Sequence, residues 1–217
     1  MGKLSNSMWR LLGAQSTRNQ SKSLGVIKDA EAHTDWAAEL ADDAFGAEAE
    51  KLDIAEKPAD RAKFLALVRE AADRTIDLRP FDVQLQGALR LLEGDIVEMA
   101  TGEGKTLVGA LAAAGYALQG RRVHVVSVND YLAVRDRTWM QPVFDLLGVS
   151  SAAISAALDD DDRREAYRSE VLYASVTEVG FDVLRDRFVL DDEDIRVAER
   201  DVVIVDEADS VLIDEAR

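Results

Sequence analysis

The stretch VEMATGEGKTLVGA, residues 97 to 110, decides the fold of this 217-residue chain. Gly102 and Gly104 allow the backbone to turn its N–H groups inward around phosphate oxygens. A helix beginning near Lys105 adds the positive end of its dipole, and the lysine side chain reaches terminal phosphates. The stretch therefore predicts a phosphate-binding loop, although Met99 stands where the common G-x-x-x-x-G-K-[ST] pattern has its first glycine.

The surroundings of this loop predict an α/β domain. DIVEM, residues 95 to 99, indicates a short strand before the loop, and KTLVGALAAAGYALQG indicates a helix after it. The apolar runs VHVVSV, AAISA, VLYAS and VVIVD predict further strands, separated by helical stretches. Strands that alternate with helices favour a parallel sheet flanked by helices on both faces. Residues 29 to 75 have few glycines or prolines and are predicted to be helical.

A second stretch, VVIVDEAD at residues 202 to 209, predicts the other half of a site. Its apolar residues indicate a buried strand, and Asp206 and Glu207 follow at the carboxyl end, where open α/β sheets bind ligands. One carboxylate would bind Mg²⁺ together with the Thr106 hydroxyl, and its neighbour would activate water. Together with the Lys105 loop, this arrangement predicts an ATPase motor.

Just before the loop, LRPFDVQLQGA at residues 78 to 88 is a candidate for base recognition. Phe81 is suited to lie against a purine face. Gln84 has both a donor and an acceptor, which suit the adenine edge and reject guanine. On its own, the same stretch would be an ordinary helix start.

Composition narrows the class of protein. The net charge of −16 disfavours a nucleic-acid partner, because such a surface repels phosphate backbones. The chain has no cysteine, which excludes disulfides and thiolate metal sites. Without an apolar run long enough to span a bilayer or a signal-peptide core, we expect a cytoplasmic protein.

The first 28 residues differ from the acidic remainder because they contain five basic residues and no acidic one. Leu4, Met8, Leu11 and Leu12 recur at helical spacing, which predicts a basic amphipathic arm for a membrane surface or a partner groove. The alternative is a helix docked on its own domain, or a frayed arm. We therefore divide the chain into an arm, residues 1–28, and a motor portion, residues 29–217.

At this point the motifs resemble a known family. RPFDVQLQGA, EMATGEGKT, VHVVSVNDYLAVRD, SVTEVGFDVLRDR and VIVDEADSVLIDEAR resemble, in order and spacing, the first nucleotide-binding domain of SecA, the bacterial preprotein translocase ATPase. The resemblance covers about residues 29 to 217 and implies a RecA-like P-loop fold. Ala100, where housekeeping members usually have arginine, and DEADS in place of DEVDS are similar to the accessory SecA of mycobacteria. The missing arginine is expected to alter nucleotide release.

The resemblance also implies roles for single residues. Arg79, Phe81 and Gln84 would form the adenine pocket. Thr106 and Asp206 would organise Mg²⁺, partly through water, and Glu207 would orient or deprotonate the attacking water. The catalytic residues would thus be Glu207, Lys105 and Asp206. The phosphates of ATP would be held by the loop residues Thr101, Gly102, Glu103, Gly104, Lys105 and Thr106.

Coupling and partners follow from the same resemblance. Arg135, Asp136 and Arg185 fall in motifs that couple the nucleotide state to domain movement. The implied partners are preproteins, the SecYEG channel and, through the arm, anionic lipids at the cytoplasmic face of the membrane, with a homodimer as a possible assembly. A preprotein-binding domain and a second motor lobe would follow LIDEAR, so we expect the 217-residue chain to hydrolyse ATP poorly.

Two other functions stay open at this level. A nucleic-acid helicase would share the motor chemistry and carries the literal word DEAD, residues 206 to 209, but the acidic surface and the NDYLA stretch argue against it. A nucleotide-dependent docking module without catalysis would retain partner binding when Lys105 is replaced by alanine, whereas a motor would lose nucleotide binding and function together.

Overall fold

The computed structural model describes residues 15–191, 194–197 and 200–214. The helices are α1 (Gln15–Glu31), α2 (Thr34–Glu39), α3 (Asp42–Ala49), α4 (Pro58–Ile76), α5 (Asp82–Leu92), α6 (Lys105–Ala117), α7 (Asp130–Leu146), α8 (Asp160–Tyr167) and α9 (Val176–Arg185). The strands are β1 (Val123–Ser127), β2 (Ser151–Ala153), β3 (Val171–Ser175) and β4 (Val202–Val205). A 3₁₀ turn (Asp186–Phe188) follows α9, and a single π-helical turn (Ser210–Asp214) follows β4.

The strands of the described ranges form one parallel sheet in the order β2-β3-β1-β4. Val125 of β1 pairs with Tyr173 of β3 and with Ile204 of β4. Each connection between neighbouring strands passes through a helix, as parallel pairing requires. The prediction of an α/β fold with a parallel sheet flanked by helices is confirmed.

The two faces of the sheet have different coverings. Helices α6 and α7 lie on the face to which Val125 and Tyr173 point, and Phe144 of α7 packs on the Tyr173 ring with centroids 6.2 Å apart. Helices α1, α4 and α5 extend this large core. The opposite face, with Leu172, carries a smaller cluster built with α8 and α9. Successive side chains along a strand therefore pack in different hydrophobic clusters.

The strand predicted from DIVEM is wrong. Residues 95 to 99 are not part of the sheet, and the Ile96 side chain is 97% exposed. The physical reason is the absence of a partner within the described ranges, since β4 is the edge of the sheet and pairs there only with β1. A segment with strand composition and no neighbouring strand has nothing to share its ladder of hydrogen bonds with.

Helical structure dominates the first part of the chain, as predicted for residues 29 to 75. Val26, Ile27 and Ala30 of α1 are buried, and this helix packs on α4 and α5. The predicted boundary at residue 28 therefore falls inside a continuous helix. The arm residues Leu4, Met8, Leu11 and Leu12 lie outside the described residues, so the amphipathic arm stays a prediction. Of the helices that the structure describes, none has the length and apolar character needed to span a bilayer.

Candidate nucleotide-binding site

The phosphate loop takes its shape from two glycines. Gly102 has φ 88° and Gly104 has φ 81°, a left-handed conformation that side chains disfavour. Gly104 directly precedes α6 as its N-cap, so the first N–H groups of that helix point out of the loop without partners inside the helix. The sequence prediction of a helix starting at Lys105 is confirmed.

Both predicted halves of the site meet in one cavity. The cavity is lined by Lys105 and Thr106 from the start of α6 and by Asp206 after β4. Lys105 Nζ lies 3.9 Å from Glu207 Oε1, so the lysine is paired with the carboxylate predicted to handle water. The lysine side chain is 34% exposed. A cation, a hydroxyl and two carboxylates are thus assembled at the carboxyl end of the sheet, and they fit a phosphate group with Mg²⁺.

The backbone holds Asp206 in place. Its N–H donates to Val126 O at 2.9 Å, which continues the β1–β4 ladder, and its Oδ1 accepts from Glu207 N–H at 3.0 Å. Burial raises the pKa of the Asp206 carboxyl, and the Asp136 charge adds to this, against the hydrogen bond from Glu207 and the charge of Lys105. Glu207 itself has φ 52°, an uncommon conformation for a residue with a side chain. This left-handed residue ends the strand abruptly and places both carboxylates near the loop.

Gln84 lies at the base of the loop rather than open to solvent. Its Oε1 accepts from Phe81 N–H at 2.9 Å, and its Nε2 donates to Glu103 O at 2.8 Å. The glutamine is 9% exposed. A Cβ atom on Gly104 would clash with Gln84 Nε2. The predicted adenine-reading amide therefore ties the Phe81 segment to the phosphate loop.

The remaining loop and adenine-pocket residues are more open. Thr101 and Glu103 are exposed, and Glu103 Oε2 accepts from Ala100 N–H at 2.8 Å. Phe81 is 72% exposed, so its ring is free to contact a flat ligand. Arg79 donates to Asp73 Oδ2 at 2.8 Å.

The predicted coupling residues lie in two places. Asp136 of α7 is 4% exposed and lines the same cavity as Lys105, and it is paired with Arg135 at 2.7 Å. Arg185 does not line this cavity. It pairs at 2.9 Å with Asp182, in a charged cluster on the α8–α9 face of the sheet.

Sequence reasoning missed two polar residues of the cavity, Ser127 at the end of β1 and Tyr173 in β3. Ser127 had a signal, because a hydroxyl closes an otherwise apolar strand at its carboxyl end. Tyr173 had none, since tyrosine is an ordinary strand residue.

Comparison with known proteins agrees with this geometry. The sequence model of the SecA DEAD-like domain matches residues 8–217. The chain is 55% identical over 217 residues to the protein translocase subunit SecA 2 of Mycolicibacterium smegmatis, across 99% of this chain and 28% of that protein. It is 54% identical over 218 residues to the protein translocase subunit SecA of Mycobacterium avium, again across 99% and 28%.

The subunit SecA 2 of Mycobacterium tuberculosis H37Rv is 55% identical over 218 residues, across 99% of this chain and 27% of that protein. The chain thus spans under a third of the length of these relatives. Mycobacterial relatives with the name SecA 2 support the accessory-type interpretation, and the chain belongs to the SecA DEAD-like domain family.

Proposed function

We propose that this chain is the ATP-binding and hydrolysing first nucleotide-binding domain of an accessory-type SecA translocase motor. The observation that carries the proposal is the meeting of Lys105 and Thr106 with Asp206 and Glu207 at one end of the sheet. The names of the relatives, which are protein translocase subunits, support the motor over a nucleic-acid helicase. Stimulation of ATP hydrolysis by RNA would reverse this preference.

In this proposal each residue of the chain has a task. The backbone of residues 101 to 106 would surround the phosphates, and Thr106 and Asp206 would hold Mg²⁺, which would neutralise charge on the phosphate oxygens. Lys105 leaves Glu207 and turns to the phosphates when ATP binds, because the triphosphate is the stronger anion. Glu207 is then free to orient the attacking water and accept its proton, and ADP is the leaving group.

The adenine end is assigned to Arg79, Phe81 and Gln84. The Gln84 amide already makes hydrogen bonds to Phe81 and Glu103. Adenine binding to this amide would therefore alter a hydrogen bond to the phosphate loop. Arg135, Asp136 and Arg185 are proposed to couple the nucleotide state to domain movement. The partners in this proposal are preproteins, the SecYEG channel and anionic lipids at the cytoplasmic membrane face.

Titration calorimetry with ADP and ATP, in Mg²⁺ and in EDTA, tests the proposal. We expect the 217-residue chain to bind both nucleotides with Mg²⁺-dependent affinity and to release phosphate slowly. Lys105→Ala should remove most of that affinity, since it deletes the cation that faces the phosphates. Lys51→Ala is the matched control, because Lys51 is a surface lysine that pairs with Glu48 at 2.6 Å. Equal nucleotide affinities of the two variants would overturn the proposal.

A further inference from the structure

The cavity behind Lys105 contains polar groups that ATP hydrolysis, as proposed above, does not use. They are the hydroxyls of Ser127 and Tyr173 and the carboxylate of Asp136. The cavity has a volume of about 80 Å³ and extends from the start of α6 to the end of β4. Its inner wall therefore joins the Mg²⁺ ligands of the proposed site to side chains of β1, β3 and α7.

The sheet register explains why these groups meet. Val125 pairs with Tyr173 and with Ile204, so these three side chains point to the same face. Two residues further along each strand, Ser127 and Asp206 point to that face as well. The Tyr173 hydroxyl thus lies below the carboxyl ends of β1 and β4, on the side covered by α6 and α7.

Neither hydroxyl has a hydrogen-bond partner within the part of the chain that the structure describes. Tyr173 is 3% exposed and Ser127 is 4% exposed, so bulk solvent does not reach them. Burial raises the pKa of the Tyr173 hydroxyl, and the charges of Asp136 and Asp206 raise it further, which keeps it a neutral donor. Buried polar groups in native proteins are almost always paired with protein or with ordered water.

Water fits this cavity better than the alternatives. Its volume of about 80 Å³ holds more than one molecule, because each water takes about 30 Å³ in the liquid. Donors from two hydroxyls and acceptors from two carboxylates provide the several partners that a buried water needs. No group of three histidine, aspartate or glutamate side chains placed to hold a metal ion occurs among the described residues.

We propose that ordered water in this cavity connects the hydroxyls of Tyr173 and Ser127 to the carboxylates of Asp136 and Asp206, and that Tyr173 is a positioning residue for Asp206. The chain of hydrogen bonds fixes the orientation of the carboxylate that would hold Mg²⁺. A side chain of β3 thus sets the Mg²⁺ affinity of a site built by α6 and β4. This inference rests on the proposed ATPase function.

Tyr173→Phe in the 217-residue chain tests the inference, because it removes one oxygen and keeps the ring that packs on Phe144. Calorimetry of the ADP-bound chain should show Mg²⁺ affinity weakened about tenfold, the range found for partners of metal ligands. ADP affinity in EDTA should not change. Ser127→Ala should act in the same direction, and it decides the question if the phenylalanine variant does not fold.

Tyr167→Phe is the matched control, since Tyr167 is the other buried tyrosine and its hydroxyl donates to Asp182 at 3.0 Å on the opposite face. It should lower the midpoint of thermal unfolding by about 2–4 °C and leave Mg²⁺ affinity unchanged. Unchanged Mg²⁺ affinity in Tyr173→Phe would overturn the positioning role, and so would a parallel loss of affinity in Mg²⁺ and in EDTA.

The failure of the proposed function would look different. A wild-type chain without Mg²⁺-dependent ADP binding would remove the ATPase proposal and the positioning role together. The midpoint of thermal unfolding still decides whether water is present. A midpoint that falls in Tyr173→Phe shows a hydroxyl with hydrogen bonds, whereas an unchanged or higher midpoint shows a dry cavity and overturns the water bridge.

Discussion

Two buried clusters, one on each face of the sheet, combine tyrosine with carboxylates and use them in opposite ways. On the α8–α9 face, Asp182 Oδ2 accepts from Tyr167 OH at 3.0 Å and from Arg163 at 2.8 Å, and Asp182 is fully buried. On the α6–α7 face, Tyr173 has no partner among the described residues, and the nearby Asp206 has a raised pKa. In the first cluster the carboxylate oxygens accept hydrogen bonds from protein side chains. In the second, the Tyr173 hydroxyl has no such protein partner among the described residues.

The difference shows what each face does. Arg163 also donates to Glu178 at 2.6 Å and to Ser155 O at 3.0 Å, so a single guanidinium joins α8, α9 and the loop after β2. Such a cluster joins these elements, and both oxygens of Asp182 are occupied by protein donors. The other face carries desolvated carboxylates, a left-handed Glu207 and hydroxyls that have no protein partner among the described residues. Binding sites keep such groups because a ligand completes them.

The largest expected effect comes from breaking the satisfied cluster. Asp182→Asn removes the charge that Arg163, Tyr167 and Arg185 share, and it leaves a buried guanidinium with one carboxylate fewer. We expect the free energy of unfolding to fall by about 3 kcal/mol, as is usual when one partner of a buried ion pair is lost. Urea unfolding measures this.

The control for that variant is Arg168→Ala. Arg168 pairs with Glu165 at 2.7 Å, but both side chains are 73% exposed, so the loss should stay below about 0.5 kcal/mol. Mg²⁺-dependent ADP binding per folded molecule should be the same in both variants. If Asp182→Asn lost no more stability than Arg168→Ala, the ion pairs of the α8–α9 cluster would not stabilise the fold.

A pair of glycines gives the next largest contrast. Gly104→Ala places a side chain at φ 81° and against Gln84, so we expect the free energy of unfolding to fall by about 1–2 kcal/mol. Gly180 of α9 has open space around it in a helix interior, and Gly180→Ala should stabilise by about 0.5–1 kcal/mol. Urea unfolding measures both changes. A loss of stability in Gly104→Ala together with a gain in Gly180→Ala would support the loop geometry, and changes in the same direction would contradict it.

Removing the buried charge of Asp206 should have a smaller effect of the opposite kind. Because its pKa is raised, the folded chain holds this proton more tightly than the unfolded chain does. In the absence of nucleotide, the free energy of unfolding therefore falls as the pH rises above about 4, the ordinary pKa of an aspartate. Asp206→Asn should lack this fall and be more stable at pH 7 by about 1 kcal/mol or less, allowing for solvent screening.

The same variant should lose the Mg²⁺-dependent part of ADP affinity. Calorimetry measures the ADP affinity with and without Mg²⁺, and urea unfolding at pH 5 and pH 7 measures the stability. A variant that is less stable than the wild type at pH 7 would show that Asp206 supports the fold rather than the site.

Much of this arrangement could be predicted from the sequence, and the exceptions have physical reasons. The loop glycines and the DEAD motif are local patterns whose positions in a parallel sheet follow from strand and helix order, so the sequence could predict that Lys105 and Asp206 lie close together; both line one cavity. DIVEM had strand composition but no neighbour, and pairing is not a local property. The two tyrosines look alike in sequence, and only the register and the opposing helices separate Tyr167 from Tyr173.

The smallest effect concerns His124 of β1, which faces the α8–α9 side and meets the Tyr167 ring at 5.8 Å. Burial lowers the pKa of its imidazole, and Arg200 lowers it further while Asp201 opposes this. The unfolded chain therefore takes up a proton below about pH 6.5 more readily than the folded chain. The contribution of His124 to the free energy of unfolding is therefore fully present above that pH. It should decline by less than about 1 kcal/mol as the pH is lowered to 5.

His124→Val keeps a strand-forming side chain and removes the titrating ring, so its stability should depend less on pH between 7 and 5. Urea unfolding at pH 5, 6 and 7 measures the difference, and proton NMR of the imidazole gives the pKa directly, with a His33→Gln variant to assign the two histidines. An unchanged profile would mean that the protonated ring finds a partner on the α8–α9 face. That face would then have a polar group able to pair with a new charge, as the cavity at Asp206 does, and the two faces would differ less than their hydrogen bonds indicate.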